Sequence, residues 1–210
     1  SLIFAAIIIL MPMIGRWKDL FSGKKGTPGV IIYFACLGLG YMLVEVFLMQ
    51  RLSYYLGDPV FSTSIVITAM LILSAVGGLL SARLSRKRSH VVRIAATGVV
   101  LSLLFFVFAL TPIINSTLNW PFLVKMLITI VLIAPVSFFL GMPFPNGLDA
   151  LSESKPRLLP WAWGMNGALS VTGSVLCRLF SISFGFTFVL IAAAVVYTVV
   201  GLIFKSNETV

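Results

Sequence analysis

Charge is scarce in this chain, and acid is scarcer still. Of 210 residues only 10% are charged, with six Asp or Glu against fifteen Lys or Arg. A soluble domain carries about 25% charged residues, so this chain cannot cover a water-facing surface. Histidine occurs once, at His90, and cysteine twice, at Cys36 and Cys177. Both cysteines fall inside apolar segments and read as small buried hydrophobes, which leaves neither a disulfide framework nor a metal pair. No glycine-rich phosphate loop follows a strand, and there is no His-Glu-x-x-His, Cys cluster or Ser–His–Asp set. The sequence therefore contains no catalytic set and no metal-ligand motif, and it leaves the identity of any cofactor unknown. The period-two alternation of a membrane β-barrel is missing as well.

What is present is long apolar runs. The chain is 60% hydrophobic, with a mean hydropathy of +1.10. The runs are about 20 residues long, the length a helix needs to cross ~30 Å of hydrocarbon. The expected fold class is all-α: a polytopic transmembrane helical bundle of about seven helices, forming a single module over residues 1–210. The segments are expected near 1–14, 30–50, 60–82, 91–111, 121–141, 161–180 and 184–204. The first is short and has no basic residues before it, so it reads as the tail of a helix begun upstream, and the chain as a fragment of a longer protein. Breakers punctuate the rest: Gly57-Asp-Pro59, Pro112 to Pro121, and Pro143-Phe-Pro-Asn-Gly147. Trp17, Trp120, Trp161 and Trp163 fall near segment ends, where aromatic rings prefer the membrane interface.

The net charge of +9 raises nucleic-acid binding, but the distribution of the charge argues against it. Arg16, Lys18, Lys24 and Lys25 lie in one loop, and Arg83, Arg86, Lys87, Arg88 and Arg93 in or beside another. Lys155 and Arg157 lie in a third loop, and Lys205 in the tail. Seven alternating passes put all of these on one side, leaving Arg51, Lys125 and Arg178 on the other. The positive-inside rule makes the rich side cytoplasmic. The expectation is a multi-pass protein of a bacterial inner membrane, with its N-terminus outside and its C-terminus in the cytoplasm. The expected partners are the lipid bilayer, anionic lipids or an acidic soluble domain at the cytoplasmic face, and other membrane subunits; nucleic acid is not among them.

Glu45 is the first candidate for polar work, because it lies in the middle of an otherwise uncharged segment. A carboxylate at that depth costs roughly 2.5–3.5 kcal/mol on insertion scales, so it should face the protein interior. Helical spacing puts Gly38, Tyr41 or Met42, Glu45 and Met49 on one face. Glu45 reads either as a proton- or cation-binding carboxylate or as a structural one hydrogen-bonded across helices. Gln50 and Arg51 close its segment. On the sixth segment Asn166, Ser170, Ser174 and Arg178 recur every four residues. They read either as tight packing with a snorkelling arginine or as a stripe facing Glu45 or a polar substrate. Pro143 to Asp149 reads as a rigid helix terminator, with Pro145 fixing the backbone and Gly147 tolerating positive φ. Asp149 then either caps a short interfacial helix or receives a cationic ligand.

Several stretches together resemble the membrane-spanning part of bacterial spermidine synthase-like membrane proteins, in which helices are fused to an aminopropyltransferase-related domain. They are Gly38-Leu-Gly-Tyr-Met-Leu-Val-Glu-Val-Phe-Leu-Met-Gln-Arg51, Leu56-Gly-Asp-Pro-Val60 and Gly141-Met-Pro-Phe-Pro-Asn-Gly147. Pro160-Trp-Ala-Trp-Gly-Met-Asn-Gly-Ala168, Gly173-Ser174 and Ser183-Phe-Gly185 complete the set. The resemblance spans most of residues 30–204. It implies a membrane module, and any aminopropyltransferase-like activity would need a separate domain. A more limited likeness joins Gly78-Leu-Leu-Ser-Ala-Arg-Leu-Ser-Arg-Lys-Arg88 to a loop of the major facilitator superfamily. There Ala82 and Ser85 replace the Asp and Gly of that pattern, so its gating ion pair is not carried over.

Two functions lead as expectations, ahead of an integral-membrane enzyme, which lacks a catalytic set. In one, a transporter-like module scaffolds or passes a small polar or cationic metabolite, with Glu45, Gln50, Arg51 and Asn166 lining its interior. In the other, a structural anchor holds a soluble enzyme or redox partner and transports nothing. A water-filled cavity reaching Glu45 favours the first, and a dry bundle with a large apolar outer face favours the second.

Overall fold

The computed structural model describes residues 27–83 and 88–207. Among them every regular element is a helix. In chain order these are α1 (Thr27–Leu56), α2 (Pro59–Arg83), α3 (Arg88–Phe105) and α4 (Thr111–Thr117), followed by α5 (Phe122–Leu140), α6 (Pro143–Ser154), α7 (Leu159–Ser183) and α8 (Phe186–Asn207). One π-helical turn, Phe106–Leu110, joins α3 to α4, and one 3-10 turn, Pro156–Leu158, precedes α7.

Five of these stretches are long and apolar enough to cross a membrane: Pro28–Leu56, Pro59–Arg83, Arg88–Thr117, Phe122–Ser154 and Phe186–Phe204. α7 is long enough, but the polar residues Asn166, Ser170, Ser174 and Arg178 lower its hydropathy below the other five. The expected number of about seven is therefore corrected to six long helices among the described residues, five of them strongly apolar. The expected segment 1–14 lies outside the described residues, as do the loop cations Arg16, Lys18, Lys24, Lys25, Arg86 and Lys87.

α1 is the central helix. Of its most apolar stretch 56% is buried inside the protein, against 28–33% in the other four. A helix apolar on all sides is stable only when surrounded, and Tyr33, Phe34, Leu43, Val44, Phe47, Leu48 and Leu52 turn buried side chains in several directions. α7 packs along α1 most extensively, followed by α8 and α2. α8 also packs on α3, and α2 and α3 both pack on α5. α2 and α7 meet only weakly, which leaves a groove along α1 between them.

Small residues set the closest approaches, as is usual where helices pack without a hydrophobic difference from their solvent. Gly38 on α1 abuts the backbone carbonyl of Asn166 on α7, and Gly173 on α7 abuts the carbonyl of Leu39 and the Cβ of Met42. Gly77 and Gly141 do the same between α2 and the end of α5, against Phe138 and Ser74.

Two proline-rich stretches fold differently from their sequence reading. Pro112 does not open a loop, because the helix continues to Thr117. A proline removes one hydrogen bond and crowds the carbonyl four residues earlier; here it follows directly on the π-helical turn, which shifts the hydrogen-bond register. Pro143 to Asp149 follows the end of α5 at Leu140, as a terminator should, but it is itself helical and not a rigid loop. Pro143 stands at the start of α6, where its missing N–H costs nothing. Gly147 is helical and buried beneath the Tyr33 and Phe34 rings; among the described residues positive φ occurs only at Gly57 and Gly185. Trp161 also departs from expectation, being buried in the core, whereas Trp120 and Trp163 are exposed.

Polar side chains tie the two ends of the bundle. At one end the Tyr33 hydroxyl donates to the Pro143 carbonyl at 2.7 Å. Nearby the buried Asn146 donates to Ser81 Oγ at 2.9 Å and to the Met142 carbonyl at 2.8 Å, and Arg88 pairs with Glu153. At the other end the Tyr55 and Thr117 hydroxyls are 2.7 Å apart, and Lys125 Nζ donates to the Tyr55 carbonyl at 3.2 Å.

Candidate functional site

The candidate residues fall on two clefts that share three walls, α1, α2 and α7. The first, of about 550 Å³, lies beside the α5–α6 junction. Its polar lining comes from Tyr41, Ser74, Asn166, Ser170 and Tyr197. The second, of about 980 Å³, opens toward the end of the bundle that holds Lys125 and Tyr55. It is lined by Gln50, Ser53, Thr63, Ser174, Arg178 and Ser181.

Along α1 the first cleft takes Gly38, Tyr41 and Met42, and the second takes Val46, Met49 and Gln50. Glu45 falls between these two sets, on the same helical stripe. It is 8% exposed, and among the described residues it makes no hydrogen bond or ion pair. The Tyr41 hydroxyl, one turn away, interacts with Ser74 and lies within electrostatic reach of Glu45. At the same level α7 closes on α1 through Gly173 and Met42. That contact divides the polar stripe of α7, with Asn166 and Ser170 in the first cleft and Ser174 and Arg178 in the second. The four residues share a face of one helix but do not share a site.

The hydrogen bonds of these residues are mostly local. Ser170 Oγ donates to the Asn166 carbonyl at 2.7 Å, and Ser174 Oγ to the Val171 carbonyl at 2.8 Å. A membrane-helix serine commonly satisfies itself in this way. The cross-helix contact is between Gln50 and Ser181, with Ser181 Oγ 3.1 Å from Gln50 Oε1. Arg51 points elsewhere: it donates to Thr111 Oγ1 at 3.0 Å and lies 5.7 Å from the centre of the Phe186 ring. It therefore braces α1 against α4 and α8 and lines neither cleft. Asp149 is exposed in the interior of α6, away from both clefts, and caps no helix.

Of the sequence candidates, the structure brings Gln50 and Arg178 together in one cleft and Asn166 and Ser170 in the other, with Glu45 between the two. It separates Arg51 and Asp149 from both. Sequence reasoning missed Ser181, Ser53 and Thr63 as lining residues, and Asn146 as a buried polar anchor. Ser181 stands three residues after Arg178, so extending the α7 stripe by one turn finds it. Thr63 carries no such signal, because only the packing of α2 beside α1 brings it in.

Among the described residues no three His, Cys, Asp or Glu side chains cluster. Cys36 and Cys177 are both free, and the Cys177 thiol faces the Leu43 carbonyl at 3.5 Å. Comparison with known protein families, with curated proteins and with solved structures finds no match for this chain.

Proposed function

We propose that this chain is a transporter-like, integral-membrane module related to the spermidine synthase-like membrane proteins, and that it passes a small polar solute along the α1 groove. The observation that carries this reading is the position of Glu45 between two polar clefts walled by the same three helices. Solute or proton reaching one cleft must pass the level of Glu45 to reach the other. A buried carboxylate within a membrane segment is costly to keep and is a functional site by default. The basic end of the bundle, which carries Arg83, Arg88 and Arg157, is assigned to the cytoplasm of a bacterial inner membrane by the positive-inside rule.

The test uses the protein reconstituted in liposomes, with proton flux and labelled spermidine uptake as readouts. Glu45→Gln keeps the shape and removes the charge, whereas Glu45→Leu removes the polar head group as well. A working charge predicts that both variants lose flux while the Gln variant stays folded. A structural carboxylate predicts that Gln is tolerated and Leu unfolds the bundle. A Leu variant as stable and active as the parent would remove Glu45 from both readings.

The anchor reading has its own observation. α6 lies across the basic end of the bundle with Asp149, Ser152, Glu153 and Ser154 exposed, and Arg157 is exposed directly after it. A charged ledge on an otherwise apolar protein is suited to holding a soluble enzyme or redox partner. If vesicles with intact protein pass neither protons nor spermidine, this second reading stands.

A further inference from the structure

The 980 Å³ cleft has an unbalanced charge. Arg178 lines it, and no carboxylate does. Among the described residues the Arg178 guanidinium makes no hydrogen bond or ion pair, although it stands only five residues from the end of α7. Two acids adjoin lining residues in sequence: Glu45, before Val46, makes no ion pair with Arg178 among the described residues, and Asp58 precedes Pro59. Asp58 Oδ1 accepts the backbone N–H groups of Val60 at 2.8 Å and Phe61 at 3.0 Å, so it is committed to capping α2. Neither acid pairs with Arg178 among the described residues.

The remaining donors point the same way. Gln50 has its oxygen on Ser181, and its amide N–H groups take no partner among the described residues. The Ser53 and Ser174 hydroxyls spend their protons on the carbonyls of Met49 and Val171. A planar guanidinium and an amide NH₂ lining one cleft, with no carboxylate in its lining, match an oxyanion in charge and in donor chemistry.

We propose that this cleft is an anion-binding site in which Arg178 and Gln50 hold a phosphate or carboxylate group. Two sources share that chemistry, a free anionic solute and the headgroup of an anionic lipid. The inference does not depend on Glu45 or on transport.

Two probes separate the sources. Inorganic phosphate is titrated against the full chain in an uncharged detergent, with binding read by calorimetry. In parallel, nanodiscs of phosphatidylcholine with added phosphatidylglycerol are extracted, and retained lipid is read by native mass spectrometry. Each is run on the parent, Arg178→Gln, Arg178→Lys and Gln50→Leu. The Arg178 side chain is exposed, so its variants should fold, and their melting midpoints verify this. Loss of one charge-assisted pair should weaken binding roughly tenfold in Arg178→Gln. Arg178→Lys should retain part of it, because the charge survives and the fork does not. Phosphate binding that disappears in Arg178→Gln identifies a free anion as ligand. Retention of phosphatidylglycerol alone, lost in the same variant, identifies a headgroup. If the parent binds neither probe, or Arg178→Gln binds both as well as the parent does, the anion site is wrong.

Discussion

Gly38 of α1 lies against the backbone carbonyl of Asn166 on α7, so close that no Cβ fits between them. The obstacle is backbone and cannot rotate away. Gly167, one residue further along α7, faces open space. Overpacking of this kind costs about 1–3 kcal/mol, and Gly38→Ala should lower the melting midpoint in detergent accordingly. Gly167→Ala should be neutral or stabilising, by up to ~1 kcal/mol from helix propensity. Equal effects at the two sites would mean that α1 and α7 do not touch where the structure has them touching.

Asn146 and Ser81 join α6 to α2 inside the basic end. Replacing Asn146 with Leu removes both of its side-chain hydrogen bonds, while Ser81 keeps its bond to the Gly78 carbonyl. Because the residue is almost wholly buried, the expected loss is ~0.5–1.5 kcal/mol per hydrogen bond removed. Chemical unfolding in mild detergent measures it. Asn146→Asp, which keeps the size but supplies no N–H, should fall nearly as far.

Topology can be read with cysteines introduced at Ser116 and Ser152 in a background lacking Cys36 and Cys177. Both positions are exposed, at opposite ends of the bundle, whereas Ser89 is buried and a poor reporter. An impermeant maleimide applied to intact cells should label Ser116→Cys and not Ser152→Cys. Labelling of both from one side would contradict the alternating passes.

The basic end should matter for retention of a partner or of anionic lipid. Each well-placed cation near an anionic surface contributes about 1 kcal/mol. Neutralising Arg83, Arg86 and Lys87 together should therefore release partner or lipid during purification at moderate salt while leaving the helical signal in circular dichroism intact. Unchanged retention at high salt in the triple variant leaves these residues with only their role in setting orientation during insertion.

The helices were legible in the sequence because an apolar run of ~20 residues has few other stable fates, and the observed ends lie within a few residues of those expected for most segments. Glu45 was legible for the same local reason, since an isolated acid in an uncharged run must be buried. Pro112 misleads as a breaker because it directly follows a π-helical turn, whereas Pro143 does follow the end of α5 but opens a further helix whose first N–H needs no partner. What no local pattern could decide is which helices meet. The stripe of Asn166, Ser170, Ser174 and Arg178 has one periodicity, yet it is cut in two where Gly173 closes on Met42. Arg51 sits next to Gln50 in sequence but turns to Thr111 and Phe186, because successive residues of a helix point about 100° apart. Helical period is a property of neighbours along the chain and can be read from it. The two clefts, the burial of Asn146 and the unbalanced Arg178 depend on residues brought together from distant segments, so only the tertiary packing decided them.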